Sequence, residues 1–223
     1  MKTIKLAAIS SAVAVAALAM PAAAQDAGTI QVKLLATTVL PDGSIDEVNV
    51  DGIGLVAGSD VEATDSVVPT AAIEYFFSPN FSIETIVGLT WHDVEGTGPL
   101  AGAELIDDLV ILPATVSAKY HLPLDGVKPY VGAGVAHFFV FGEDVGADAA
   151  ALGATSVDLS DEFGFVLQAG IDVPLNDGLG LALDAKRYFI GTTATFDANG
   201  TTALQTDHDL DPWVLSAGIS FQF

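Results

Sequence analysis

The last thirteen residues of the chain alternate between apolar and polar or small side chains with a period of two. The apolar positions are Trp213, Leu215, Ala217, Ile219, Phe221 and Phe223. Because successive side chains of a β-strand point to opposite faces, the segment predicts a strand with one apolar and one polar face. Aromatic residues at both ends of the apolar face are typical of a strand that crosses a bilayer, although a half-buried strand of a soluble sheet shows the same alternation.

The same pattern recurs along the chain and predicts eight strands. These strands cover residues 29–38, 68–77, 81–92, 109–122, 128–141, 163–173, 179–195 and 211–223. Short turns at 78–80, 123–126 and 174–178 alternate with long segments at 41–67, 93–108, 142–162 and 196–211, which we call the outer segments. The alternation predicts an all-β fold: an eight-stranded antiparallel up-and-down transmembrane β-barrel with four long outer loops and three short periplasmic turns.

The fifth predicted strand, residues 128–141, is apolar or glycine on both faces, so its orientation is ambiguous. We expect Val131, Ala133 and Val135 to point outward, which leaves Gly132 and Gly134 on the crowded inner side.

A soluble barrel of the lipocalin type also has eight strands, but it hides its apolar face inside. Here the polar face is rich in small Gly, Ser and Thr, which suit a narrow lumen. The aromatic residues gather near strand ends and turns: Tyr75, Phe77, Phe81, Trp91, Tyr120, Tyr130, Trp213 and Phe223. These features favour the membrane barrel over the soluble one.

The N-terminus has the pattern of an export signal. Lys2 and Lys5 precede a mostly apolar stretch, 6–20, and Pro21 is followed by three alanines that form a cleavage site. The pattern predicts a cleaved signal peptide at 1–24 and a single barrel domain at 25–223. With the barrel pattern, it predicts location in a bacterial outer membrane. The resemblance of the terminal strand, which ends on Phe223, to those of outer-membrane barrels as a class implies assembly by the outer-membrane insertion machinery.

The charges are segregated along the chain. Loss of Lys2 and Lys5 leaves 5 Lys and Arg against 29 Asp and Glu, and 22 of these acids lie in the outer segments, which contain no Lys or Arg. This excess argues against a nucleic-acid partner. Acidic loops are commonly just hydrated surface, but they also repel anions and gather cations, so divalent cations are a candidate partner.

Few residues suggest catalysis or a cofactor. His92 lies beside Asp93, and His208 lies between Asp207 and Asp209. A hydrolytic site at the outer rim would use such neighbouring His and Asp residues. No nucleophile motif accompanies them, the acids at 207, 209 and 211 lack the rest of a calcium loop, and there is no cysteine. We therefore expect no enzymatic activity and no cofactor.

Several segments resemble the OmpW family of small outer-membrane proteins. They are 112–121 (LPATVSAKYH), 128–134 (KPYVGAG), the EYFF motif at 74–77, DAKRY at 184–188 and DLDPW at 209–213. The resemblance runs from the second predicted strand to the end of the chain and, apart from residues 209–211, leaves out the outer segments.

The resemblance implies a narrow channel that passes small hydrophobic molecules from outside and releases them sideways into membrane lipid. The candidate channel residues are Phe138, Val166, Lys119, Gln168, Asp184 and Lys186. The last two are two apart on one face and are expected to form ion pairs with inner groups such as Lys119, Asp172 or Glu84. The alternative is a non-conducting structural barrel whose acidic loops bind cations or a partner.

Overall fold

The computed structural model describes residues 27–223 apart from 123, 125 and 177, so the predicted signal peptide lies outside the described residues. Its strands are β1 (Ile30–Leu40), β2 (Ser44–Asp51), β3 (Asp60–Ala63), β4 (Ser66–Ser78), β5 (Phe81–Val87), β6 (Thr90–Thr97), β7 (Glu104–His121), β8 (Lys128–Phe141), β9 (Asp144–Val145), β10 (Ser156–Leu159), β11 (Glu162–Asn176), β12 (Leu179–Phe189), β13 (Gly191–Ala198), β14 (Thr201–Asp209) and β15 (Trp213–Gln222). A short helix, α1, covers Ala147–Ala151, and Gly98–Leu100 forms a 3₁₀ turn. No helix of the described residues is long and apolar enough to span a membrane.

The strands of the wall form a closed antiparallel barrel. Going round it, β1 pairs with β4, β4 with β5, β5 with β7, and β7 with β8; β8 then pairs with β11, β11 with β12, β12 with β15, and β15 with β1. Both β5 and β6 pair with β7 and lie end to end, so they are two halves of one wall strand. The predicted eight-stranded antiparallel barrel is confirmed.

The faces of the strands follow the predicted alternation. On β1, Lys33 and Thr37 are buried inside the barrel, whereas Leu34 is 51% exposed on its outer surface. Val131 and Val135 point outward as expected. A Cβ atom at Gly134 would lie 2.2 Å from the carbonyl oxygen of Val116, so only glycine fits this inner position. The barrel exterior is therefore apolar, and the polar positions face the lumen.

Aromatic side chains form two belts on the exterior, as they do at the two interfaces of a bilayer. The belt near the short turns contains Tyr75, Phe77, Phe81, Tyr120 and Phe223. The belt at the other end contains Trp91, Phe139, Phe141, Phe163, Phe165, Phe189 and Trp213. Between the belts each strand has about the 9–11 residues that a tilted strand needs to cross the hydrocarbon region.

The outer segments contain much more strand than their description as loops implies. Strands β10, β13, β14 and β2 form a second, four-stranded sheet above the wall. On β10, Val157 and Leu159 are buried and alternate with exposed Ser156 and Asp158. The frequent acids on the outward positions obscured this alternation in the sequence.

Two predicted strands are interrupted in the structure. The strand predicted at 81–92 breaks at Gly88 and Leu89 and then continues to Thr97. The strand predicted at 179–195 is interrupted at Ile190, whose backbone amide donates to the carboxylate of Asp211 at 2.9 Å instead of continuing the ladder. Both interruptions lie where the wall passes into the outer segments.

Candidate functional site

The half of the lumen nearer the short turns is filled by charged and polar side chains, which we call the polar seal. Its members are Lys33, Glu74, Glu84, Lys119, His121, Tyr130, Gln168, Asp172, Asp184 and Lys186. They occupy inward positions of β1, β4, β5, β7, β8, β11 and β12, so they converge on the barrel axis. Each is less than 10% exposed.

Lysine ammonium groups hold the carboxylates of the polar seal together. Lys119 Nζ lies 2.8 Å from Glu74 Oε2 and 2.9 Å from Glu84 Oε2. Lys33 Nζ lies 2.8 Å from the same Glu74 oxygen and 3.1 Å from Glu84 Oε2. The two lysines thus bridge the two glutamates, whose Cα positions are directly opposite on β4 and β5. This pairing offsets the large cost of burying each charge.

A second group of contacts extends the polar seal across the lumen. Gln168 donates to Glu84 at 2.8 Å and to Asp184 at 2.7 Å, and Asp184 also pairs with Lys186. The hydroxyl of Tyr130 donates to Asp184 at 2.7 Å, and Lys119 Nζ lies 3.6 Å from the centre of the Tyr130 ring. Of the predicted ion pairs, Lys186 with Glu84 is present, at 3.5 Å between Nζ and Oε1, whereas the lysine that pairs with Asp184 is Lys186 itself. Because the side chains bind one another across the axis, they fill this part of the lumen.

The other half of the lumen contains an apolar cavity, the outer cavity, of about 370 Å³. Its lining includes Val39, Ile86, Leu109, Ile111, Phe138 and Val214 from the wall, and it continues among Ile45, Val61, Leu159 and Leu204 of the outer segments and Ala194 of β13. No Asp, Glu, Lys or Arg of the described residues lines it. A volume in this range suits a small organic molecule.

The floor of the outer cavity separates it from the polar seal. Phe138 and Tyr188 pack with ring centres 5.4 Å apart, and both line the cavity. The Tyr188 hydroxyl lies 3.2 Å from Thr115 Oγ1, and Val166, directly opposite Tyr188, is only 1% exposed. On β5 and β12 the inward side chains change from Ile86 and Tyr188 of the cavity lining to charged Glu84 and Lys186 within two residues.

The barrel wall is interrupted beside the outer cavity, at a place we call the wall break. The pairing of β4 with β5 ends at Ala71 and Val87, and backbone bonding across this line resumes where the Thr64 amide donates to the Asp93 carbonyl oxygen at 2.9 Å, next to the pair Ala63 and Val94. Between these pairs lie residues 64–70 on one side, including Pro69, which has no amide hydrogen, and 88–93 on the other.

Residues on both sides of the wall break line the outer cavity: Thr70, Gly88, Thr90 and His92. Side chains link the two edges, since His92 Nδ1 lies 2.7 Å from the carbonyl oxygen of Thr64. On the outside the wall break is flanked by Val67, Leu89 and Trp91, which are 72%, 40% and 51% exposed. The wall break therefore lies between the outer cavity and an apolar part of the lipid-facing surface.

All six candidate channel residues face the lumen, but they fall into two groups. Phe138 lines the outer cavity, and Val166 lies beneath its floor. Lys119, Gln168, Asp184 and Lys186 belong to the polar seal. Their role as channel residues stays a prediction. The cavity residues Leu109, Ile111, Ala194 and Val214 were missed, although the change from polar to apolar side chains along the inner face of each strand was a usable signal.

The histidines considered for catalysis have other partners. His92 contacts the Thr64 carbonyl oxygen, and His208 Nε2 lies 2.7 Å from Thr206 Oγ1. Burial lowers the pKa of His208, which lies above the membrane on β14. Within the described residues no three His, Asp or Glu side chains converge as a metal ion requires. A role for divalent cations stays a prediction.

One Ser, His and Glu cluster lies in the polar seal and was not expected. His121 Nε2 lies 2.9 Å from Ser82 Oγ and 2.8 Å from Glu74 Oε1. A hydrolytic triad uses the two ring nitrogens for different partners, whereas here one nitrogen contacts both. All three residues are at most 2% exposed, so the cluster is part of the packing.

A closed eight-stranded barrel with an apolar, aromatic-belted exterior defines an outer-membrane β-barrel protein. The family model for the OmpW family matches residues 26–223, and the chain belongs to that family. The Outer membrane protein W of Vibrio cholerae is 28% identical over 98% of this chain and 95% of its own length. The dibenzothiophene metabolism operon protein DoxH of Pseudomonas sp. (strain C18) is 26% identical over 75% of this chain and 77% of its own. The crystal structure of OprG from Pseudomonas aeruginosa has a TM-score of 0.80 at 28% identity, covering 89% of this chain and 97% of OprG. The predicted family and outer-membrane location are confirmed.

Proposed function

We propose that this protein passes small hydrophobic molecules from the outside into the outer membrane. The molecule enters the outer cavity from the outer segments and leaves sideways through the wall break. The observation that carries the proposal is an apolar cavity of about 370 Å³ that ends on a charged seal.

The contrast between cavity and seal determines the direction of travel. A hydrophobic solute gains about 25 cal/mol for each Å² of apolar surface that it removes from water, so it favours the outer cavity. It gains nothing from the polar seal, where it would separate lysines from glutamates 2.8 to 3.1 Å away. The interior of an eight-stranded barrel is just wide enough for its own side chains, so a solute does not fit beside those of the polar seal. The sideways route is therefore the favourable one.

The wall break supplies this sideways route. Its edges are joined by side-chain contacts such as His92 with Thr64 instead of a continuous backbone ladder. Separating them costs less than opening a paired stretch of wall, because fewer backbone hydrogen bonds are lost. The name of the relative DoxH places it with dibenzothiophene metabolism, and dibenzothiophene is a hydrophobic aromatic compound of suitable chemistry.

A disulfide bond across the wall break tests the proposal. A Cβ atom at Gly88 would lie 3.3 Å from Thr70 Cβ, close to the Cβ separation in a disulfide bond. Because the chain has no cysteine, the two introduced residues of the variant Thr70→Cys/Gly88→Cys can form only one intramolecular disulfide bond. Uptake of radiolabelled naphthalene is measured in cells that lack the protein and express each variant. We expect oxidation to slow uptake several-fold and reduction to restore it.

Each single cysteine variant serves as the matched control, and its uptake should not respond to oxidant. Naphthalene binding to the purified double variant in nanodiscs should be similar in both redox states, because every lining residue other than 70 and 88 is unchanged. Equal uptake by the oxidised and reduced forms would contradict exit at the wall break. If wild-type protein gives no more uptake than an empty vector, transport is wrong and the structural role remains.

A further inference from the structure

The acids of the outer segments lie on the surface of the molecule and not in the cavity. None of the 22 is buried, and none lines the outer cavity. Of the five Lys and Arg residues after the signal peptide, only Arg187 lies at the outer belt outside the lumen, and Asp42 and Asp211 neutralise it at 3.3 and 3.7 Å. The exterior around the mouth therefore carries an uncompensated negative charge.

The pairing of the outer strands places like charges directly opposite one another. Glu62 of β3 faces Glu95 of β6, and Glu95 in turn faces Glu104 of β7. Asp107 and Asp144 form another such pair. Like charges in directly opposite positions destabilise a sheet. A lysine at one position of each pair would remove the repulsion. The acidic residues at these positions therefore lower the stability of the sheet while they add to the negative charge of the exterior.

The entrance between these acids is apolar. Ile53 and Leu152 line the outer cavity and are 49% and 72% exposed, so a solute meets them before it enters. Asp51 accepts hydrogen bonds from the amides of Gly54 and Leu55 at 2.7 and 2.9 Å, which fixes the loop that presents Ile53. Inside, the lining offers hydroxyl groups and two histidines but no charged side chain that could neutralise a carboxylate.

We infer that the negative exterior and the uncharged cavity together select solutes by charge, so that neutral and cationic hydrophobic molecules enter and hydrophobic carboxylates are rejected. A carboxylate is repelled at the mouth and then loses its hydration without a partner inside. A cationic amphiphile is concentrated at the mouth and can keep its head group among the acids while its chain occupies the cavity. The inference rests on the proposed function and names the class of solute.

Three ligands with the same ten-carbon chain test the inference: decanol, decyltrimethylammonium and decanoate. Their binding is measured at pH 7.5 and low salt with the full protein in phosphatidylcholine nanodiscs, after subtraction of binding to empty nanodiscs. We expect decyltrimethylammonium to bind roughly tenfold more tightly than decanoate, with decanol between them. At about 1 M salt the Debye length falls to about 3 Å, and this ratio should shrink.

The variant Asp46→Asn/Glu47→Gln/Glu62→Gln/Glu95→Gln removes four exposed acids that do not line the cavity. It should reduce the ratio several-fold and leave decanol binding unchanged. Its matched control, Asp46→Glu/Glu47→Asp/Glu62→Asp/Glu95→Asp, keeps the charges and should keep the ratio. Equal binding of the two charged ligands to the wild type, with decanol bound, overturns only the inference. If decanol does not bind, the proposed function fails as well.

Discussion

The two halves of the barrel lumen are built on the same strands but are filled in opposite ways. In the half nearer the short turns, Lys33, Glu74, Glu84 and Lys119 pair with one another inside the lumen, and each is at most 3% exposed. In the outer half, side chains such as Leu109 and Ile111 line an apolar cavity. Strand alternation determines which residues face inward, but the chemistry of those residues determines whether the lumen is closed or open.

The largest loss of stability is expected when one charged side chain is removed from the polar seal. The variant Lys119→Met leaves Glu74 and Glu84 with less positive charge in a buried site. Breaking a buried pair in this way costs about 3–5 kcal/mol of unfolding free energy. Urea titration in lipid, followed by the mobility difference between folded and unfolded protein on a gel, measures this cost.

The double variant Lys119→Met/Glu84→Gln is the matched control for the seal. It removes one positive and one negative charge together, so part of the lost stability should return. A cost below about 1 kcal/mol for Lys119→Met would mean that the carboxylates are neutral or hydrated, and the ion pairs would then not hold the seal together.

A smaller effect should distinguish the packed interior from the cavity lining. Leu35 and Leu109 are similarly buried, at 6% and 3% exposure, but Leu35 packs with Ala72, Ile86 and Ala182, whereas Leu109 lines the outer cavity. We expect Leu35→Ala to cost about 3–4 kcal/mol and Leu109→Ala about 2, because one side of Leu109 already faces empty space. The same urea titration compares them, and equal costs would indicate that the outer cavity collapses around the shortened side chain.

The barrel wall was predictable from the sequence because lipid imposes a strict period of two on segments such as 163–173 and 213–223. The polar seal was partly predictable, since Lys119 and Asp184 fall on inward positions and buried charges need partners. The partners themselves depend on register: Glu84 meets Lys33 only because β4 lies between their strands. The apolar lining of the outer cavity was signalled by inward positions such as Ile111 and Val214, but the shape of the cavity was not predictable, because it is the space left between elements. On the outer strand β10 the alternation is short, with only Val157 and Leu159 buried.

The smallest expected effect concerns His208 of β14, at the end of the molecule opposite the polar seal. Burial lowers the pKa of His208 below 6.5, although the charges of Asp60 and Asp207 act in the opposite direction. A histidine whose folded pKa is lowered stabilises the fold when neutral, so this stability is complete above about pH 6.5 and is lost as the pH falls through the folded pKa. This pH range is separate from the range in which Asp207 titrates, because hydrogen bonds from Asn49 and Thr193 hold the pKa of Asp207 below 3.8. Acidification from pH 7.5 to 5.5 should therefore destabilise the outer sheet by about 1.4 kcal/mol at most. Hydrogen exchange at the amides of β13 and β14, corrected for intrinsic rates, measures this change, and His208→Gln should abolish it. If protection increases on acidification, or if the variant responds like the wild type, His208 does not govern the stability of the outer sheet.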